Sequence, residues 1–329
     1  MDTSKPLLSI KDLVVHYETE DEPVMALNGV NLQLREGSSL GLVGETGAGK
    51  TTLAKSVMRL LRMPPARIVS GQILLNDENL LDLSPAQVRA VRGKKISMIF
   101  QDPMTSLNPV LTVGEQIAEV VTNHNRVSGH EAMDKAKEML ELVDIPADRA
   151  GEYPHQFSGG MKQRVIIAIA LACSPRLLIA DEPTTALDVT IQAQILDLMR
   201  DLKKRLGTSM LMITHDLGVV AQNCDYVSII YAGEIMESGT IHEIFKDARH
   251  PYTKGLFGSI PSMTHRTRRL SPVEGLMPDP ADLPEGCVFH PRCKHAQDIC
   301  RQGKPEMITV NGEHSVRCFI TEGTISEKG

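Results

Sequence analysis

Apolar and polar residues exchange places along the first stretch of the chain. LSIKDLVVHY and ALNGVNLQL, between Leu8 and Leu34, alternate with a period of two around the acidic segment Glu18 to Glu22. Such patterning predicts two or three antiparallel strands joined by a turn. The period then changes. Ser38 to Gly44 reads SSLGLVG, a short apolar run ending in a glycine-rich loop, and TTLAKSVMRLL beyond it carries apolar residues at helical spacing. Strand, loop and helix are predicted in that order. GQILLND and ISMIF supply two more strand candidates.

From Val113 to Val143 the chain is polar with a helical period and a soft break near Ser128 and Gly129, which predicts a second, helical lobe. RLLIAD (Arg176 to Asp181) and SMLMITH (Ser209 to His215) are short runs rich in Leu, Ile and Met, separated by an amphipathic helical pattern from Thr190 to Leu206. Short strands alternating with helices argue for a mainly parallel sheet covered on both faces. YVSIIYAGEIMESG predicts a strand pair turning at Ala232 and Gly233. Past Phe245 the composition shifts. Six of the nineteen prolines fall between Pro261 and Pro291, a density no regular helix tolerates, and four of the six cysteines follow Glu285. A separate C-terminal appendage is expected from about His250.

Composition narrows the class. The 329 residues are 42% hydrophobic and 23% charged, enough to bury a large core in two or three structural units, so disorder is excluded. With no Trp, five Tyr and six Phe, that core must be filled by Leu, Ile, Val and Met. Lys and Arg number 35 against 41 Asp and Glu, a net charge of −6, which offers nucleic acid no basic footprint. The longest apolar run, Val165 to Cys173, covers nine residues, where a membrane-spanning helix needs about 18. MDTSKP at the start lacks the basic head, apolar stretch and cleavage site of a secretory signal, and a protein facing the cytosol is expected.

GETGAGKT, Gly44 to Thr51, matches G-x-x-x-x-G-K-[ST] between a predicted strand and a predicted helix. Glycines there let backbone N–H groups turn toward phosphates and join the helix N-terminus in holding negative charge. Lys50 would reach the terminal phosphates and Thr51 would offer its hydroxyl to Mg²⁺. A second group of charges ends the run RLLIADE: Asp181 would hold the metal through its water shell, and Glu182 would orient or deprotonate the attacking water. Alone, an Asp-Glu pair after a strand reads as a solvated strand end; Lys50 gives it a chemical reading. His215 closes the next strand, 34 residues after Asp181, where its imidazole could touch the γ-phosphate.

Phe157-Ser158-Gly159-Gly160-Met161 precedes the helical run KQRVIIAIALAC and forms another anion site at a helix N-terminus. Standing alone it would read as a plain N-cap. In a chain that already has its phosphate loop it is accounted for by a dimer, in which each such helix end contacts the nucleotide held on the partner's loop.

With this ordered set the chain resembles the ATP-binding-cassette transporter ATPases. The resemblance covers residues 8 to 245 and rests on six motifs in order: the loop Gly44 to Thr51, Gln101, Ser158 to Gly160, Asp181-Glu182, Ala186-Leu187-Asp188 and His215. It implies a P-loop NTPase α/β fold, a RecA-like parallel sheet core with an antiparallel β subdomain and a helical subdomain. The nucleotide-binding domain would be residues 1–249, the helical subdomain about 101–172, and a small Cys-rich extension 250–329. It also implies that Gly44, Glu45, Thr46, Gly47, Ala48, Gly49, Lys50, Thr51 and Thr52 hold the phosphates. Gln101 would contact Mg²⁺ and sense the membrane partner, and Asp188 would lie at the dimer seam. Tyr17 matches the family's adenine-stacking aromatic, although a structural strand tyrosine has the same pattern. One departure stands out: Phe-Ser-Gly-Gly-Met replaces the usual Leu-Ser-Gly-Gly-Gln, which keeps Ser158 and both glycines but loses a fifth-position amide.

QDPMTSLNP, YPHQFSGGM, ADEPTTALDVTIQAQIL and HPYTKGL resemble one branch of that family, the ATPases of oligopeptide, dipeptide and nickel importers. The resemblance implies an ATP-hydrolysing motor at the cytoplasmic face of the membrane. Its partners would be a second, related ATPase, two permease subunits and, indirectly, an extracytoplasmic solute-binding protein. The cargo would be di- or oligopeptides, with nickel or another small solute as the alternative.

The cysteines divide. Cys173 and Cys224 sit in apolar sequence as small core residues. Cys287-x5-Cys293-x6-Cys300-x17-Cys318 lies in a Pro-rich segment with little apolar material, which needs a staple. Reducing cytosol disfavours disulfides and leaves a metal or free thiols. The gaps exceed the two to four residues usual between paired zinc ligands, four thiolates suit a [4Fe–4S] cluster equally well, and His290 or His295 could replace one thiolate. Likeness to the peptide-importer branch favours iron–sulfur over zinc. Two other function classes fit less well. A non-transport ATPase acting on nucleic acid would show tandem cassettes or a coiled coil, and a P-loop kinase or GTPase leaves the Ser-Gly-Gly turn unexplained and would show Asn-Lys-x-Asp if a GTPase.

Overall fold

A computed structural model describes residues 5–20, 22–101, 106–185, 187–259 and 273–321. Expectations placed on Ala186, on the first four residues, on part of the acidic turn and of QDPMTSLNP, and on Pro261 and Pro272 lie outside the described residues. In chain order the elements are β1 (Pro6–Tyr17), β2 (Val24–Arg35), β3 (Ser39–Val43), α1 (Lys50–Val57), β4 (Ala66–Leu75), β5 (Glu78–Asn79), α2 (Pro85–Val91) and β6 (Ile96–Ile99). Then come α3 (Val113–His124), α4 (Gly129–Leu142), α5 (Gly159–Leu171), β7 (Leu177–Asp181), α6 (Val189–Leu206), β8 (Ser209–Thr214), α7 (Leu217–Asn223) and β9 (Tyr226–Tyr231). The chain closes with β10 (Glu234–Thr240), α8 (Ile241–Asp247), α9 (Pro251–Gly258), α10 (Asp298–Gln302), β11 (Ile308–Asn311) and β12 (His314–Val316). Among the described residues no helix is long and apolar enough to cross a membrane.

Two compact units result, one from the described residues up to Leu7 with Leu34–Ser39 and Glu78–Ile213, the other from Leu8–Gln33, Leu40–Asp77 and the described residues from Thr214 onward. In the first, β6, β7 and β8 run parallel, with Ile96 opposite Leu177 and Asp181 opposite Ile213. Every residue of these strands is buried, which is why their sequences are continuous apolar runs rather than alternations. The polar helical stretch forms α3 and α4. Thr112 with Glu115 and Ser128 with Glu131 make reciprocal capping boxes at their starts, so the soft break near Ser128 is a helix N-terminus. α5 buries Val165, Ile166, Ile167, Ala168, Ala170 and Leu171, and this continuous apolar run packs against α3, α4, α6 and β6.

In the second unit β1 pairs antiparallel with β4, and its register shifts between Lys11 and Val14. Gly71 faces that bulge at φ 103, where a Cβ would stand 2.6 Å from the Asp12 carbonyl oxygen. β3 pairs parallel with β9, while β9, β10, β12 and β11 continue antiparallel. Ala232 (φ 46) and Gly233 (φ 78) turn β9 into β10, the doubly positive φ of a tight hairpin. Helical spacing predicted α1 to run to Leu61; it stops at Val57, and Arg59 takes φ 53 ahead of Pro64 and Pro65.

The C-terminal segment shares the core of this unit. Val288 and Phe289 pack with Val227, Ile229, Tyr231, Met236 and Tyr252, and Phe289 meets the rings of Tyr231 and Tyr252 at 5.2 and 5.4 Å. A Pro-rich stretch with few apolar residues cannot close a core alone, and these side chains leave water against the sheet instead.

Candidate functional site

Sterics shape the phosphate loop in the second unit. All five residues of β3 are buried, and a Cβ on Gly44 would come within 2.2 Å of the Ile230 carbonyl oxygen, so the strand can leave the sheet only as glycine. Gly47 (φ 86) and Gly49 (φ 102) hold left-handed conformations, which glycine alone adopts without cost. Gly49 caps α1 with no side-chain hydrogen bond, and a helix N-terminus of this kind suits an anion. Lys50 is 7% exposed, and its ammonium donates to the carbonyls of Gly44 (2.7 Å) and Glu45 (2.9 Å). Ala48 is buried, Thr46 exposed, and Thr51 and Thr52 are half-buried. The Tyr17 hydroxyl, at the end of β1, lies 3.3 Å from the Thr52 hydroxyl, which brings the expected base-stacking ring to the first turn of α1.

Glu45 has partners that sequence reasoning missed. Its backbone N–H donates to the Tyr252 hydroxyl (3.1 Å), and its carboxylate accepts two hydrogen bonds from one guanidinium nitrogen of Arg292, at 2.9 and 3.1 Å. Arg292 is 247 positions away, and no local pattern could have signalled the pair. His215 follows β8 and is exposed.

In the first unit Asp181 ends β7 with 1% exposure. Glu182 sits at φ 49, a left-handed conformation that costs a non-glycine residue energy and recurs at functional positions. Its N–H donates to the Ile213 carbonyl, and its carboxylate accepts from Gln101 Nε2 (3.0 Å) and Thr185 Oγ1 (3.2 Å). The fold thus joins two of the expected catalytic residues, 81 positions apart.

Ser158 caps α5, accepting the Met161 N–H at 3.4 Å. Asp188, expected only at a dimer seam, also caps α6, accepting the Ile191 N–H at 3.0 Å. A Cβ on Gly160 would meet Ile191 Cγ2 at 2.7 Å, and one on Gly159 would find only Leu187 Cδ2, at 3.9 Å. The Ser158 turn and the Asp188 turn are therefore packed together. Both residues changed in the signature touch Arg149, which lies 4.4 Å over the Phe157 ring and donates to Met161 Sδ at 3.5 Å.

Cys287, Cys293, Cys300 and Cys318 line one cavity with His250, His290, His295 and Phe289. Burial, aided by the neighbouring thiols, pushes the Cys287 thiol up to about 12 and the Cys293 thiol up to about 11. All six cysteines are free thiols, and among the described residues no three Cys, His, Asp or Glu side chains are arranged to hold a metal ion. His290 Nδ1 lies 3.0 Å from the Cys287 carbonyl, and His295 Nδ1 is buried without a hydrogen bond. The donor set is soft sulfur in a partly enclosed cavity, the chemistry that suits an iron–sulfur centre or zinc. Such an ion would also reverse the thiol shifts, because a coordinating thiol is deprotonated. Cys173 and Cys224 are partly buried, and burial raises the Cys173 thiol.

The ABC transporter domain matches residues 27–185, and the oligopeptide/dipeptide transporter C-terminal region matches residues 236–300. A probable peptide ABC transporter ATP-binding protein of Sinorhizobium fredii, y4tR, is 50% identical, covering 97% of this chain and 96% of its own. The oligopeptide transport ATP-binding protein OppD of Bacillus subtilis is 49% identical over 95% of this chain and 88% of its own, and the dipeptide counterpart DppD is 45% identical over 96% and 95%. Among solved structures, the dimeric cassette MJ0796 in a post-hydrolysis state bound to ADP and Pi matches with TM-score 0.64 and 29% identity, covering 71% of this chain and 98% of that one. The chain belongs to the ABC transporter ATPase family, with the C-terminal region of its oligopeptide and dipeptide branch. As such it is an ATP hydrolase with an α/β P-loop fold.

Proposed function

We propose that this chain is the ATP-driven motor subunit of a peptide importer, working at the cytoplasmic face of the membrane as part of an ATPase dimer beneath permease subunits. The observation that carries this reading is the likeness to peptide-transport ATPases along 95% or more of the chain. It includes the C-terminal region that gives the branch its name, and the relatives' names favour peptides over nickel.

Lys50 and the backbone N–H groups of Gly44 to Gly49 hold the β- and γ-phosphates, with Thr51 and Thr52 behind them, and Tyr17 stacks on adenine. Thr51, Gln101 and Asp181 are hard-oxygen donors suited to Mg²⁺, which when bound neutralises phosphate charge. Glu182 takes a proton from water as the water oxygen bonds to the γ-phosphorus and the bond to the β-bridging oxygen breaks. His215 steadies the γ-phosphate. Ser158, Gly159 and Gly160 approach the nucleotide of the partner ATPase, a related but different subunit, and Asp188 lies at that seam. Nucleotide binding closes the dimer and hydrolysis reopens it, which moves the permease pair. Cys287, Cys293, Cys300 and Cys318 hold a [4Fe–4S] cluster in a structural role, with zinc as the runner-up.

Glu182→Gln tests the motor. In vesicles holding the assembled transporter, the variant should bind ATP, remain in a closed dimer and lose ATP-dependent peptide uptake. Uptake at the parent rate would remove Glu182 from catalysis, and failure of the chain to co-purify with permease subunits would overturn the importer reading.

A further inference from the structure

Arg292 reaches across the second unit to the phosphate loop. It belongs to the turn between Cys287 and Cys293, yet its side chain is 6% exposed and its guanidinium is spent on Glu45, the residue that follows Gly44 in the loop. Besides the two bonds to that carboxylate, it donates to the carbonyls of Val273 (3.2 Å) and Glu274 (2.9 Å), contacts the Tyr231 hydroxyl (3.4 Å), and lies 5.7 Å from the Tyr231 ring. Five hydrogen bonds and a ring contact leave it little freedom. Tyr252 meets the backbone of the same Glu45, so one loop residue is fixed at both its main chain and its side chain by residues from the C-terminal stretch.

The placement of charge gives the contact its purpose. An unopposed carboxylate on a loop that must receive a polyphosphate would repel it, and a buried guanidinium neutralises that charge and fixes the loop at once. We infer that Arg292 is a positioning residue for ATP binding: it cancels and anchors Glu45, which makes the C-terminal segment a working part of the nucleotide site. The inference rests on reading Gly44 to Thr51 as that site.

The test uses the full-length chain and a fluorescent ATP analogue as probe, with steady-state ATPase measured in the assembled transporter. Arg292→Gln should weaken nucleotide binding and raise KM about thirtyfold, the low end of what removing one partner of a buried charge pair costs, while kcat changes little. Glu45→Gln added to Arg292→Gln should restore most of the loss, because the uncompensated charge is gone; a merely structural role would leave the double variant as weak as the single one. Arg292→Lys, which keeps charge but loses the fork, should fall between and serves if the Gln variant does not fold. Parent-like binding by Arg292→Gln, or no recovery in the double variant, overturns the inference. Unimpaired binding by Lys50→Ala would instead overturn the placement of the nucleotide.

Discussion

Gly159→Ala separates what the Ser158 turn does for its own chain from what it does for a partner. Gly159 is the first residue of α5 and does not take a positive φ. An added methyl would find nothing closer than Leu187 Cδ2 at 3.9 Å, an ordinary contact. Alanine in place of helical glycine gains up to about 1 kcal/mol, so the urea midpoint should stay or rise with an unchanged denaturant slope. ATP binding to the isolated chain should also be unchanged, because Lys50 and its loop are untouched. Turnover is a different matter. If the partner's γ-phosphate approaches this helix end at hydrogen-bond distance, about 2.7 to 3.2 Å, the methyl holds it off. One or two charge-assisted hydrogen bonds worth about 1.5–3 kcal/mol each are then weakened, which slows ATPase activity by at least about tenfold. Gly160→Ala is the contrast: its methyl would meet Ile191 Cγ2 at 2.7 Å, and overpacking of about 1–3 kcal/mol should appear as lost stability. Steady-state phosphate release from the reconstituted transporter reads the first effect and urea unfolding the second. A Gly159→Ala protein that turns over like the parent would refute the cross-dimer contact, and one that loses stability would show that the turn matters within its own chain.

Two further outcomes are expected. Anaerobically prepared protein should be brown with broad absorbance near ~400 nm, and Cys293→Ser should bleach it; a colourless sample with stoichiometric zinc would assign the cavity to zinc. Burial lowers the His250 pKa from 6.5 to about 4, against the opposing pull of Glu237. The neutral ring is therefore the folded form, and stability should fall as pH drops from 6.5 toward 4, by up to about 3 kcal/mol. His250→Asn, which can still cap α9, should flatten that slope in chemical unfolding; an unchanged slope would assign it to other groups.

Much of this protein is written locally. Period-two and period-3.6 patterns place β1, β2, α3, α4 and α6 because each face must match water or core over a few residues. The Ser128 break, the Ala232-Gly233 turn and the loop from Gly44 to Lys50 are legible because caps, positive φ and close backbone approach demand particular residues at fixed offsets. The length of α1 was not legible, since helical spacing continues past the point where Arg59 leaves the helix. Nor was the second role of Asp188, whose side chain caps α6 as well as marking a motif. Tertiary structure alone decided that Gln101 meets Glu182, that four cysteines spread over more than thirty positions share a cavity, and that Val288 and Phe289 complete the core around Tyr231. It alone placed Arg292 on Glu45. These are pairings between distant segments, chosen by burial of apolar surface and neutralisation of buried charge, and neither is encoded in the spacing of neighbours along the chain.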